Sequence, residues 1–281
     1  MPIQYLWLLP LGLIVGAFGT LIGAGGGFIL VPVLLLLYPN EKTDLITGIS
    51  LAVVFFNALS GSLAYSRMKR IDYKSGIIFS IATIPGAIFG ALSTSYVPRR
   101  VFDLTFGVLM ILGSVLLVLS TKRRRAALQS QLEPSRPETP KPGWTAREFA
   151  DALGIRYRYA YNPWVGVLLS SFIGFISSLL GVGGGFIHVP AMTRLLNFPV
   201  RVATATSQFV LAVMALTGTL VHIVNGVFVH GVRRTLILAL GVVIGAQFGA
   251  ALSNHVRGRM IIRGLAAGLA LVGLRLILAE Y

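Results

Sequence analysis

The chain has 281 residues, 55% of them hydrophobic and 12% charged, and a mean hydropathy of +0.81. Soluble domains carry about 25% charged residues, so the apolar excess excludes a soluble enzyme. Twenty-four basic residues stand against nine acidic ones, a net charge of +15, but the bases fall in short clusters between long apolar runs, which excludes a nucleic-acid binder.

Residues 1–40 carry no charge, and neither do 45–66, 75–98, 104–121, 159–193, 202–232 and 235–256; a last apolar stretch, 264–279, holds only Arg275. A helix crossing the ~30 Å hydrocarbon core needs about 20 residues, so most runs predict single spans. Two are too long. Residues 6–37 as one helix would measure about 48 Å, and 159–193 has the same excess. Each carries a glycine cluster near its middle, where a helix is expected to break. The first run lacks a basic n-region and outruns a signal-peptide core, so it reads as membrane structure. Cysteine is absent, which removes disulfides and thiolate metal sites from consideration.

Residues 122–158 differ from everything around them: nine Lys/Arg, four acidic residues, four prolines and no long apolar run. They read as a solvated linker, a tether between halves, with a regulatory or lipid-binding role as the alternative. Within it, Thr145 as N-cap and Glu148 at N3 form a capping-box pattern that predicts a short surface helix over 145–153.

The two long runs match each other. Gly23, Gly25, Gly26, Gly27, Phe28, Ile29, Val31 and Pro32 recur as Gly181, Gly183, Gly184, Gly185, Phe186, Ile187, Val189 and Pro190. Further on, Thr47 and Ser50 match Thr204 and Ser207, and the block from Gly86 to Ala91 matches that from Gly245 to Ala250. Three blocks in one order mean a duplicated half: a first transmembrane repeat over 1–121, the basic linker over 122–158 and a second repeat over 159–281. The expected fold is an all-α polytopic membrane protein of two homologous repeats, each of 4–5 transmembrane segments with glycine-broken helices or hairpins. Broken segments at equivalent places in two repeats point to a secondary-transporter site.

The bases address orientation through the positive-inside rule. If each glycine-rich segment is a hairpin or two spans, the second repeat is inverted, and 18 Lys/Arg including the linker share one side against five on the other. If each is one broken span, the repeats are parallel and the partition is 15 to eight. The cleaner partition favours inverted repeats with a cytoplasmic linker.

The glycine cluster superficially matches a phosphate loop, but it lacks the preceding strand and the spacing of a dinucleotide fingerprint. In a bilayer, irregular backbone is tolerated only where protein or a water-filled cavity covers it. Helices starting near Phe28 and Phe186 aim free N–H groups at the breaks, and such N-termini bind anions without a buried cation. The alternative is that these glycines only permit close helix packing.

The apolar runs hold no Asp, Glu, Lys or Arg at their centres, which weighs against a carboxylate proton relay and against a hard cation as cargo. What remains is polar and neutral: Thr20, Thr47, Ser50, Asn57 and Ser60, then Ser177, Ser178, Thr204, Thr206, Ser207 and Gln208. Hydroxyls and amides donate to an oxyanion. Each also serves as an interhelical hydrogen bond, and the group flanking the breaks reads as pocket lining. His188, where the first repeat has Leu30, and His222 have two readings, satisfied against a carbonyl or titrating and coupling transport to protons. Asp44 and Asp103 read as charges at span ends. Arg99, Arg100, Arg257, Arg259 and Arg263 read as headgroup anchors or anion-attracting rims.

The paired glycine motifs, each followed by a Thr/Ser block opening a span, resemble the TauE/SafE sulfite exporter family of membrane permeases. The likeness covers both halves and fails only over 122–158. It implies transport of small sulfur-containing anions, such as sulfite or organosulfonates, across the bacterial inner membrane, commonly outward. Residues and resemblance converge on an alternating-access carrier whose substrate site comprises Gly23, Gly25, Gly26, Gly27, Ser50, Asn57, Gly181, Gly183, Gly184, Gly185, Ser207 and Gln208. His188 and His222 are the candidates for proton coupling. The implied partners are a small anion and the lipid bilayer, with no nucleic acid, cofactor or metal. An anion channel and an uptake permease are the competing readings. A membrane-embedded enzyme would need a clustered nucleophile, base or metal set, which four scattered histidines do not supply.

Overall fold

Glycine, proline and a few polar side chains decide where the helices start and stop. The computed structural model describes residues 6–130, 143–227, 231–253, 270 and 273–275; the side chains of 116–130 are not among them. In chain order the described elements are α1 (Leu8–Ile22), α2 (Gly27–Leu37), α3 (Thr43–Arg67), α4 (Tyr73–Ser93), α5 (Arg99–Ser130), β1 (Thr145–Ala150), β2 (Arg156–Tyr161), α6 (Pro163–Leu180), α7 (Gly185–Leu195), α8 (Val200–Val224) and α9 (Val232–Leu252). The expected last span over 264–279 lies outside the described residues except for 270 and 273–275, and so do Arg257, Arg259 and Arg263.

Five described helices are long and apolar enough to cross a membrane: α3, α4 with its 3₁₀ extension to Tyr96, α6, α8 and α9. The expectation of an all-α polytopic membrane protein holds. The glycine clusters divide each long run into two helices. α1 has 15 residues and α2 and α7 have 11 each, about 22 and 16 Å long, so none of these three reaches across the ~30 Å core alone.

Caps follow local chemistry. Asn162 accepts the Trp164 N–H and Pro163 opens α6, a pairing that satisfies one orphan donor and removes another. Asp72 caps α4 by accepting from Ser75 N–H. α1 and α6 both end on a left-handed glycine, Gly23 and Gly181.

The helices pair across the two halves. α1 packs along α9 and α6 packs along α4; α3 and α8 pack against each other, and each also lies against one further helix of the other half, α3 on α9 and α8 on α4. A second set of glycines serves close helix packing. Gly86 and Gly90 of α4 meet the backbone of Ser171 and Phe175 in α6, and Gly245 and Gly249 of α9 meet Leu13 and Ala17 in α1. Small residues let helices approach in this way in lipid.

The expected helix over 145–153 is a correction. Residues 145–150 form β1, antiparallel to β2 with Thr145 opposite Tyr161 and Ala150 opposite Arg156. Burial alternates along β1, the period of a strand with one covered face. Tyr157 and Tyr161 enter an aromatic cluster with Phe79, Met192 and Phe198, flanked by Phe149 and Tyr159, and this burial outweighs a local capping box. The second part of the basic segment is therefore a packed hairpin, where a solvated tether was expected.

Candidate functional site: two glycine turns in contact

The break in each half is a reversal. Residues 23–26 turn with Gly23, Gly25 and Gly26 at φ of 80°, 75° and 84°, and Gly181, Gly183 and Gly184 repeat the pattern at 70°, 78° and 47°. A side chain in this left-handed region costs about 1–2 kcal/mol per residue, which is why the turns are glycine. The chain doubles back so that Gly26 lies against Val15 and Gly19, and Gly184 against Ile173 and Ser177.

The two turns meet. A Cβ on Gly27 would stand 2.6 Å from the carbonyl oxygens of both Gly181 and Val182, and one on Gly185 would strike the Gly23 carbonyl. Reciprocal hydrogen bonds lock the junction. Ser50 of α3 donates to the Gly181 carbonyl at 2.7 Å, and Ser207 of α8 donates to the Gly23 carbonyl at 3.2 Å. Thr47 packs on Gly181 and Thr204 on Gly23 in the same relation. Phe28 and Phe186, the second residues of α2 and α7, lie with ring centroids 6.0 Å apart.

Around this junction the polar side chains are buried and neutral. Gln208 donates to the Gly19 carbonyl at 3.1 Å, Thr20 donates to Asn57 Oδ1 at 3.0 Å, and Tyr65 donates to the Thr20 carbonyl at 3.0 Å. Five atoms here have no partner among the described residues: Thr47 Oγ1, Asn57 Nδ2, Ser177 Oγ, Ser178 Oγ and Gln208 Oε1. Four of these belong to groups that can donate, and each buried unsatisfied group costs about 1–3 kcal/mol. No side chain caps the N-terminus of α2 or α7; turn carbonyls take up the Ile29, Gly185 and Ile187 N–H groups, which leaves those of Gly27, Phe28 and Phe186 to add positive partial charge there.

The structure thus brings together every substrate-site residue expected from the sequence. It separates the two histidines. His188 is buried at the junction, with Nδ1 3.4 Å from Ser207 Oγ and Nε2 3.4 Å from Ser170 Oγ. His222 lies fifteen positions beyond Ser207 on α8, about 22 Å along the helix, and its Nε2 has no partner among the described residues. Gly19, Tyr65 and Ser170 were missed, because their roles come from contacts between helices that no local pattern carries.

A second polar cluster, also unseen in the sequence, fastens the hairpin to the helix bundle. Asp72 accepts from Arg147 at 2.7 and 3.1 Å, from the Tyr159 hydroxyl at 2.6 Å and from Ser75 Oγ at 2.5 Å. Burial opposes ionisation of Asp72, but the bonds from Arg147, Ser75 and Tyr159 outweigh it and hold the carboxyl below its ordinary value. Asp151, in the hairpin turn, accepts from Leu153 and Ile155 N–H, the Tyr157 hydroxyl and Arg70. Burial again opposes ionisation there, and the Ile155, Tyr157, Leu153 and Arg70 donors prevail.

Long apolar helices packed in pairs across the two halves, with doubled-back glycine turns buried between them, define an all-α multi-pass membrane protein. The chain belongs to the sulfite exporter TauE/SafE family, whose family model matches residues 8–276. It is 36% identical to YunE of Bacillus subtilis, a probable membrane transporter protein, over 98% of this chain and 97% of that one. A probable membrane transporter protein of Methanocaldococcus jannaschii is 23% identical over 98% and 97% of the two chains, and YdhB of Bacillus subtilis is 28% identical over 87% and 86%. No solved structure matches the chain. The protein is a membrane transporter.

Proposed function

We propose that the protein is a secondary carrier that exports small sulfur-containing anions, sulfite or an organosulfonate, and that the anion binds where the two glycine turns meet. The observation that carries this reading is the junction itself: uncharged, buried, and supplied with unpartnered donors from Asn57, Thr47, Ser177 and Ser178 together with two uncapped helix N-termini. Such a set suits an oxyanion and offers a hard cation little. Direct contact between the turns, with Ser50 and Ser207 each bonded to the opposite turn, supports a closed carrier state over an open channel. Alternating access then consists of parting the turns on one side and the other.

The doubled-back turns leave three long helices in the first half, α3 to α5, which supports the inverted arrangement of the halves; the partition of 18 Lys/Arg to five then supports a cytoplasmic central segment, in a protein of the bacterial inner membrane. An interior-negative potential favours anion export by about 2.3 kcal/mol per charge per 100 mV. His188, in contact with a serine of the junction, is the proposed route for proton coupling; His222 is too distant for it.

The test is flux of radiolabelled sulfite and of a short organosulfonate from proteoliposomes, with acetate as the control anion. Saturable, sulfur-selective flux that falls at least tenfold in Ser50→Ala and Ser207→Ala supports the reading. Flux that does not saturate means a channel, net movement only inward means an uptake permease, and no sulfur-anion flux by folded protein removes the substrate class.

A further inference from the structure

A cavity of about 270 Å³ opens at the hairpin end of α3, between that helix, α9 and the turn of the hairpin. It exceeds many times the ~10–15 Å³ one water requires, and it approaches the ~300 Å³ lower bound of small-molecule pockets. Its wall combines two guanidinium side chains, Arg67 and Arg70, with the apolar Met68, Leu153 and Ala251 and with Gln247.

The charge at this wall is unbalanced. Arg67, the last residue of α3, is exposed and makes no ion pair with any described residue. The Arg70 side chain is only 3% exposed, yet its ion pair is a single contact of 3.4 Å from Nε to Asp151. Its Nη1 reaches only the Met68 sulfur at 3.6 Å, and its Nη2 makes no hydrogen bond among the described residues. Asp151 is meanwhile saturated by donors from its own hairpin. Arg70 therefore retains unused N–H groups at a cavity edge, and the guanidinium fork matches the paired oxygens of a sulfonate or phosphate.

Side-chain contacts link the cavity wall to the junction. Gln247 donates to the carbonyl and hydroxyl of Ser60 at 2.9 and 2.8 Å. The next residue, Gly61, is packed against Thr20 and Gln208 of the junction.

We infer that this cavity is a binding site for the sulfonate or phosphate head of an organic anion, with Arg67 and the free edge of Arg70 as its ligands and the Met68–Leu153 wall against its carbon chain. The head belongs either to a free organosulfonate approaching the glycine turns or to an anionic lipid. The organosulfonate source rests on the reading of the turns; the cavity is tested by binding and that reading by flux, so each can fail alone.

Full-length protein in detergent is titrated with propanesulfonate and, separately, with dihexanoyl phosphatidylglycerol, by calorimetry. The variants are Arg67→Gln and Ala251→Trp, both at exposed positions, with Lys74→Gln, an exposed base that does not line the cavity, as the control and unfolding midpoints without ligand as the check on folding. Saturable binding of one probe, weakened at least tenfold in both cavity variants and unchanged in Lys74→Gln, supports the site. Selectivity for propanesulfonate marks a free anion, and selectivity for the phospholipid marks a lipid site. Absence of binding by either probe overturns the proposal, as does binding that survives both cavity variants or falls equally in Lys74→Gln.

Discussion

Gly27→Ala is the sharpest test of the contact between the two turns. Gly27 opens α2 with no positive φ, so a methyl group there introduces no backbone strain and acts only through space. Its Cβ would lie 2.6 Å from two carbonyl oxygens and 2.7 Å from the Val182 carbonyl carbon. Ordinary carbon–oxygen contacts lie at about 3.3–3.6 Å, so the turns must part by roughly 0.7–1 Å. Overpacking of this kind costs about 1–3 kcal/mol. The same movement stretches the 2.7 Å bond from Ser50 to the Gly181 carbonyl, a further loss of about 0.5–1.5 kcal/mol. Equilibrium unfolding in mixed micelles should therefore register about 2–4 kcal/mol of destabilisation, and flux should fall at least tenfold. Gly185→Ala opens the same junction from the other side, so the double variant should cost less than the sum of the singles, as coupled neighbours do. A single-variant loss below about 0.5 kcal/mol, the range of an inconsequential surface change, would refute the contact, and so would strict additivity of the pair.

The unpartnered polar atoms predict an opposite sign. Ser177→Ala and Ser178→Ala remove hydroxyls that already lack a partner among the described residues, so stability should hold or rise while anion flux drops about tenfold or more; a parallel fall in both would place these residues in structure alone. Asp72→Asn deprives Arg147 of its anion. With the Arg147 side chain 16% exposed, the cost should be about 2–3 kcal/mol, below the ~3–5 of a fully buried pair. Hydrogen exchange over 145–161 should then accelerate about 30- to 150-fold, and unaltered exchange would refute the clamp. Asp72 and Asp151 both titrate below the ordinary carboxylate value, so hairpin protection should be complete above the unfolded pKa of about 3.9 and lost as pH falls through the lower folded values. Protection that begins to fail near neutral pH would contradict this assignment. His188→Leu should flatten the pH dependence of flux and His222→Leu should not, measured in the same proteoliposomes; the reverse pattern would move the coupling away from the junction.

Residue order alone determines that the chain lies in a membrane, where its charges interrupt its apolar runs, and that one glycine-centred pattern occurs twice. These properties are legible because they are local: solvation of a segment depends on its own composition, and a glycine run breaks a helix wherever it falls. The candidate site residues are legible in the same way, since Ser50 and Ser207 follow the glycine runs at matching intervals. Tertiary structure decides the rest. That Ser50 reaches Gly181 and Ser207 reaches Gly23 depends on α3 and α8 packing together, contacts between residues more than 130 positions apart. His188 and His222 look alike as buried histidines in one repeat, and only packing puts the first against the junction. The segment from Thr145 shows the limit most plainly. Its capping box is a real local signal for a helix, but a strand has no signal until its partner Arg156–Tyr161, the Asp72 carboxylate and the Phe79–Phe198 cluster are in place, and the burial they provide together exceeds what one cap contributes.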